Sequence, residues 1–174
     1  MRSGTAREPI DPANVQWTRV SDKLITLRVV GWLIGFVIAL LIFSGPLMLM
    51  LLGIWDGFPG WAAWSLPAVV VIIGVWRLLL IPRQVRAIGY AERHEDLLIR
   101  QGLFFQRVMV VPYGRMQYVD ISVGPIERAM GLASLKLHTA SPGTNAMLVG
   151  LPGPEAARLR EQLSSLGEAK LAGL

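Results

Sequence analysis

The sequence predicts a membrane protein. Two apolar helices form a transmembrane hairpin, and a small β-barrel or sandwich of six or seven strands, ending in a C-terminal helix, follows outside the bilayer. Three observations predict this. Hydrophobic residues make up 53% of the 174 and charged residues only 17%, against about 25% charge in an ordinary soluble domain. The apolar residues gather in two charge-free runs in the first half of the chain. The second half returns to mixed polarity, with short alternating segments separated by Gly and Pro.

The first run lies between Arg28 and Asp56 and the second between Asp56 and Arg77. Crossing the hydrocarbon core takes about 20 apolar residues at helical rise, so both qualify, with spans at 29–54 and 61–81. In lipid each must satisfy its own backbone hydrogen bonds, which makes it a helix. The first run is too long for a signal-peptide core of about 7–15 residues and leads at once into a second span. The polar, Pro-broken residues 1–18 read as a flexible tail, and Thr18 to Arg28 as a lead into the first helix along the membrane surface. The short link from Trp55 through Asp56, Phe58 and Pro59 to Trp61 makes the helices antiparallel neighbours. Trp55, Trp61 and Trp64 suit the headgroup belt. Gly31 and Gly35 form a GxxxG pair that permits close helix approach, or is a chance feature of a Gly-containing apolar run. Pro46 and Pro67 are placed to kink the spans, unless Pro67 sits in a first helical turn, where it costs little.

Charge sets the expected orientation. Arg19, Lys23 and Arg28 flank the first span; Arg77, Arg83 and Arg86 follow the second on the same side. The positive-inside rule puts both termini in the cytoplasm, in a two-span protein of the plasma (inner) membrane. Arg77, Arg83 and Arg86 are the expected juxtamembrane lipid contacts, each favouring anionic headgroups by roughly 1 kcal/mol.

From residue 83 onward the pattern changes to strands. Val119, Ile121 and Val123 alternate with polar neighbours, as do Leu135, Leu137 and Thr139, and period two marks a half-buried strand. Less regular candidates are 87–91, 96–101, 106–111 and 146–150. Turn signals fall at Gly102, Pro112–Gly114, Gly124–Pro125, Gly131 and Ser141–Asn145. Pro154 and Glu155 then open an amphipathic helix with Ala156, Leu159, Leu163 and Leu166 on one face, ending near Gly167. Residues 168–174 read as a tail. Strands followed by one helix that covers the end of the core match the pleckstrin-homology (PH) architecture, over 83–167.

Particular residues sharpen this. The segments Gln101–Gly102–Leu103–Phe104, then Val111–Pro112–Tyr113–Gly114–Arg115–Met116–Gln117–Tyr118–Val119, then Gly124–Pro125–Ile126–Glu127–Arg128–Ala129–Met130–Gly131–Leu132, and Leu135–Lys136–Leu137–His138–Thr139–Ala140 resemble bacterial membrane proteins with a PH-like domain, of the YdbS-like type. The resemblance covers roughly residues 77–165 and implies a membrane-tethered PH-like fold; it brings no catalytic residues. Arg93 and Arg100, separated by Glu95 and Asp96, do not form the basic cluster that a phosphoinositide headgroup requires. Arg115 and Gln117 either bond backbone at a sheet edge or face solvent, and Arg128 with Glu127 is placed to pin the loop before Gly131. Arg115, Gln117 and Arg128 are the candidate interaction surface.

Reactive chemistry is scarce. The chain has no Cys, two distant His and no GxSxG or phosphate-loop motif, so no catalytic residue, cofactor or metal is expected. Basic residues outside the spans are interleaved with acids, which excludes a nucleic-acid tail, and no small-molecule substrate is implied. No charge lies deep in either span, where an ion pathway needs one. The expected function is a non-enzymatic, membrane-anchored interaction module, presenting its β domain to a protein partner or to the inner leaflet. The alternative is an accessory subunit of a larger membrane complex, in envelope stress or export, assembled through the hairpin; a homo-oligomer also fits.

Overall fold

A computed structural model describes residues 15–55, 57, 59–140 and 145–171. Most of the expected N-terminal tail, Asp56 and Phe58 of the inter-helix turn, residues 141–144 and residues 172–174 lie outside the described residues. The described residues divide into two units: those within 25–83, and a β unit built from those of the flanking segments 15–24 and 84–171.

The first unit holds the apolar helices. Helix α1 (Lys23–Phe43) and α3 (Gly60–Arg86) are both long and apolar enough to cross a membrane. The first run is not one regular helix to residue 54: it breaks at Ser44, and α2 (Gly45–Leu51) follows. Pro46 causes the break, because it cannot donate to the carbonyl one turn back. Pro67 and Pro82 both lie inside α3, so Pro67 is past the first turn, and the helix runs on to Arg86 rather than ending at 81. Gly31 and Gly35 do not make the close contact in this unit, since a Cβ at either would meet nothing within 4 Å. Gly74 does: the ring of Phe36 occupies the space a side chain there would need.

The β unit contains two antiparallel sheets. The first has the order β1-β2-β3-β4, from β1 (Thr18–Arg19), β2 (Gly89–Glu92), β3 (Asp96–Gln101) and β4 (Arg107–Pro112). The second has the order β5-β6-β7, from β5 (Met116–Ser122), β6 (Leu132–Thr139) and β7 (Ala146–Pro152). Thr18 pairs with Tyr90 and Arg19 with Gly89. Thr18 and Arg19, just before the first span, are therefore part of the sheet, and Val20 and Leu24 are buried in this unit. Leu97, Leu98 and Ile99 in β3 are all buried, as are Leu135 and Leu137 in β6 and Leu148 and Leu151 in β7.

Helix α4 (Pro125–Met130) stands where the sequence suggests a loop. Glu127 accepts the Gly124 N–H at 2.7 Å and the Ser134 hydroxyl at 2.8 Å. Glu127, rather than Arg128, thus pins this segment, and Arg128 is exposed. The last helix, α5 (Gly153–Leu171), continues past Gly167. Ala156, Leu159 and Leu163 are its fully buried residues, spaced to face the sheets.

Candidate interaction groove

The structure brings two of the three candidate surface residues together and separates the third. Arg115 ends the short 3-10 turn Tyr113–Arg115, and Gln117 is the second residue of β5. Met116 pairs with Thr139 and Tyr118 with His138, so Gln117 is the extra residue of a β-bulge. Bulges re-aim side chains and sit at sheet edges. Both Arg115 and Gln117 are exposed. Arg128, on α4, lies beyond the other end of the β5–β6 ladder.

Beside Gln117 a cleft of about 170 Å³ runs between β5 and α5. Met116, Tyr118, Val119 and Leu163 supply apolar wall; Gln117, Ser164 and Glu168 supply polar rim, with Gly167 at the base. Small-molecule sites usually enclose about 300–1,000 Å³. This cleft lies below that range. β5 is the outer strand of its sheet, paired only to β6 among the described residues. Tyr118 is 57% exposed and stacks on His138 with ring centroids 4.3 Å apart. The distance in sequence between β5 and α5 hides the groove from any local pattern. The one sequence signal was the Gly167 gap in the apolar stripe of α5.

The helix wall is held by a polar clasp. The Arg158 guanidinium donates to Glu92 at 2.6 Å and to Glu155 at 2.7 Å, and the Tyr90 hydroxyl donates to Glu155 at 2.7 Å. The Arg158 hydrogen bond, then that from Tyr90, holds the Glu155 carboxyl below its usual range despite some burial. Burial and the neighbouring Glu155 push the Tyr90 phenol up. At the opposite end of β2, Tyr113 is fully buried and donates its hydroxyl to the Arg93 carbonyl at 2.9 Å. Burial, with Glu92 and Asp96 nearby, raises its phenol to about 12. Both tyrosines are buried and tie β2 and its following turn into the frame.

Other chemistry is not assembled. Among the described residues no three His, Asp or Glu side chains group to hold a metal. Arg93 pairs with Asp96 at 3.3 Å, while Arg100, at the other end of β3, lies over the Trp17 ring at 4.8 Å. Arg83 is exposed and bonds the Leu79 carbonyl of its own helix at 3.2 Å; Arg77 and Arg86 are also exposed.

Two apolar helices lie between the first strand and the other six, and a last helix closes the two sheets; the family described as "Bacterial PH domain" matches residues 24–167. The chain belongs to this bacterial PH domain family. It is 33% identical over 110 residues to the UPF0699 transmembrane protein YdbS of Bacillus subtilis (strain 168), covering 63% of this chain and 68% of that relative. No solved structure matches. The chain is therefore a bacterial transmembrane protein with a PH-like domain, and its family is not a known enzyme family.

Proposed function

We propose that this bacterial PH domain protein is a non-enzymatic interaction module of the plasma membrane. Its two spans anchor it, both termini face the cytoplasm, and the β domain binds an extended segment of a protein partner along β5. The orientation rests on Arg19, Lys23, Arg28, Arg77, Arg83 and Arg86 all falling on one side of the two runs. The binding mode rests on one observation: an outer strand with a bulge lies beside an apolar-walled, polar-rimmed cleft under α5. Adding a strand to such an edge supplies main-chain hydrogen bonds, and side-chain pockets beside it supply specificity.

The test uses the full-length protein in its native membrane, with a photo-crosslinking residue at Ser164 in the groove or at His94 in the β2–β3 turn. A protein adduct from position 164, absent from position 94 and lost on Tyr118→Asp, is expected. Equal capture from both positions would remove the groove from the account.

A second reading has its own support. Within the helical unit, a cleft of about 540 Å³ opens between α1 and α3, lined by Gly31, Gly35, Ala39, Leu66 and Ile73 among others. Open space above Gly31 and Gly35 leaves this small-residue face ready for a helix of another membrane protein, as an accessory subunit requires. Gly31→Leu with Gly35→Leu abolishes co-purification with that protein if so; unchanged complexes would sink the reading.

A further inference from the structure

We propose that the β unit makes its own contact with the bilayer that its helices cross, through Phe104 and Phe105 at the β3–β4 tip and Ile126 on α4. Phe104 is 73% exposed, Phe105 92% and Ile126 45%. Single exposed apolar residues are ordinary, but here the three share one end of the unit, and topology identifies that end. Arg100 of β3 pairs with Gly89 of β2, and Gly89 with Arg19 of β1. The 102–106 tip therefore projects past the edge where the chain departs for α1 and returns from α3. The second sheet presents the same end: Ser21 donates its backbone N–H to the Gly150 carbonyl at 2.9 Å, and the Lys23 ammonium bonds the Met130 carbonyl, closing α4, at 3.2 Å. Lys23 opens α1, and Arg86 closes α3 just before Gly89.

Charge points the same way. At this end the exposed Arg19, Lys23, Arg86, Arg107 and Arg128 stand against Asp22 and Glu127, and Glu127 is turned onto Gly124 and Ser134. The opposite end carries the β2–β3 turn, where Arg158 pairs with Glu92, Lys170 with Glu95 and Arg93 with Asp96, leaving no such basic surplus around the turn. Aromatic side chains flanked by arginine match the chemistry of an anionic headgroup layer, where rings sit among headgroups and guanidinium groups meet phosphate. The tip is also a built loop. Gly102 has φ +106°, and a Cβ there would strike the Phe105 carbonyl. The occupant is thus the leaflet holding the start of the first span and the end of the second.

The sequence contains no cysteine, so a single introduced one takes a spin label cleanly. The full chain is placed in nanodiscs of phosphatidylcholine and phosphatidylglycerol, labelled at Gln106→Cys or, at the opposite end, His94→Cys. The label at 106 is expected to be several-fold less accessible than that at 94 to an aqueous nickel chelate, and more accessible to oxygen. Phe104→Ser with Phe105→Ser should return it to water; if that double variant does not fold, Phe105→Ser alone, at a largely exposed side chain, serves. Equal aqueous exposure at both positions overturns the proposal. So does protection seen only in discs holding two copies, which would assign the tip to a second copy. Neither result touches the groove.

Discussion

Leu24, in the first turn of α1, lies against Gly150 of β7 so closely that a Cβ on the glycine would stand 2.6 Å from a Leu24 methyl. Gly150 also has φ +76°, a region that side-chain-bearing residues enter only at a cost. Strain and overpacking then act together, and Gly150→Ala should destabilise the β unit by roughly 3 kcal/mol. Denaturant unfolding measures it. Because the two residues touch, Leu24→Ala combined with Gly150→Ala should cost less than the sum of the single changes; strict additivity would mean that the contact is not made.

The clasp on α5 predicts an acid-sensitive helix. The Glu155 carboxyl titrates lower in the folded chain than in the unfolded one. Its contribution is complete above the ordinary glutamate value of about 4.3 and is lost as the pH falls through the depressed folded value. Glu155→Gln should flatten that part of the stability profile. Arg158 is 46% exposed, so Arg158→Ala should cost only about 1 kcal/mol. Unfolding midpoints between pH 3 and 7 decide both points.

Tyr113 predicts the alkaline counterpart. With its phenol raised to about 12, the unfolded chain ionises first, near pH 10. Stability is then full below pH 10 and declines as the pH rises towards 12. Tyr113→Phe should reduce that slope to the share left by Tyr90, whose phenol is also raised, and cost about 1–2 kcal/mol by leaving the Arg93 carbonyl without its hydroxyl donor. A profile that Tyr113→Phe leaves unchanged would assign the slope elsewhere.

In the helical unit, Phe36 and Gly74 form a size-matched pair. Gly74→Val should weaken the helix pair by roughly 1–3 kcal/mol, read as a lower unfolding midpoint in detergent titration. Phe36→Ala, which vacates the space, should recover most of the loss. Failure of that rescue would show that the contact does not govern the pairing.

The fragment 84–174 lacks β1, Val20 and Leu24, and with them one sheet edge and two buried side chains. It should unfold at lower denaturant than the β unit of the full chain, and a peptide of residues 15–24 added in trans should raise its midpoint. No response to the peptide would argue against the pairing of Thr18 with Tyr90.

Much of this was legible in the residues, for physical reasons. Lipid demands long charge-free helices, so the spans stand out. β5 and β6 each have one face towards the core, so Val119–Ile121 and Leu135–Leu137 show period two. β3 is harder to read because Leu97, Leu98 and Ile99 are buried together and erase the alternation. β1 is two exposed residues whose only structural signal is a partner encoded beyond both spans. α4 had a readable signal in Gly124–Pro125 followed by Glu127 and a closing Gly131, overshadowed by the turn reading of Gly-Pro. Of the three candidate surface residues only Gln117 lines the groove; distance along β5 and β6 separates it from Arg128, and one-dimensional spacing does not carry that information.

The bridge from Thr18–Arg19 to Gly89–Tyr90 encloses both apolar helices in one loop of chain. While the ribosome is still making the hairpin, the first strand must wait unpaired for a neighbour synthesised some seventy residues later. A polypeptide threaded through the bilayer only once would strand those two segments in different compartments, with Leu24 deprived of its niche and a raw edge open to proteases. Completion of the sheet thus requires an even number of crossings between the two segments.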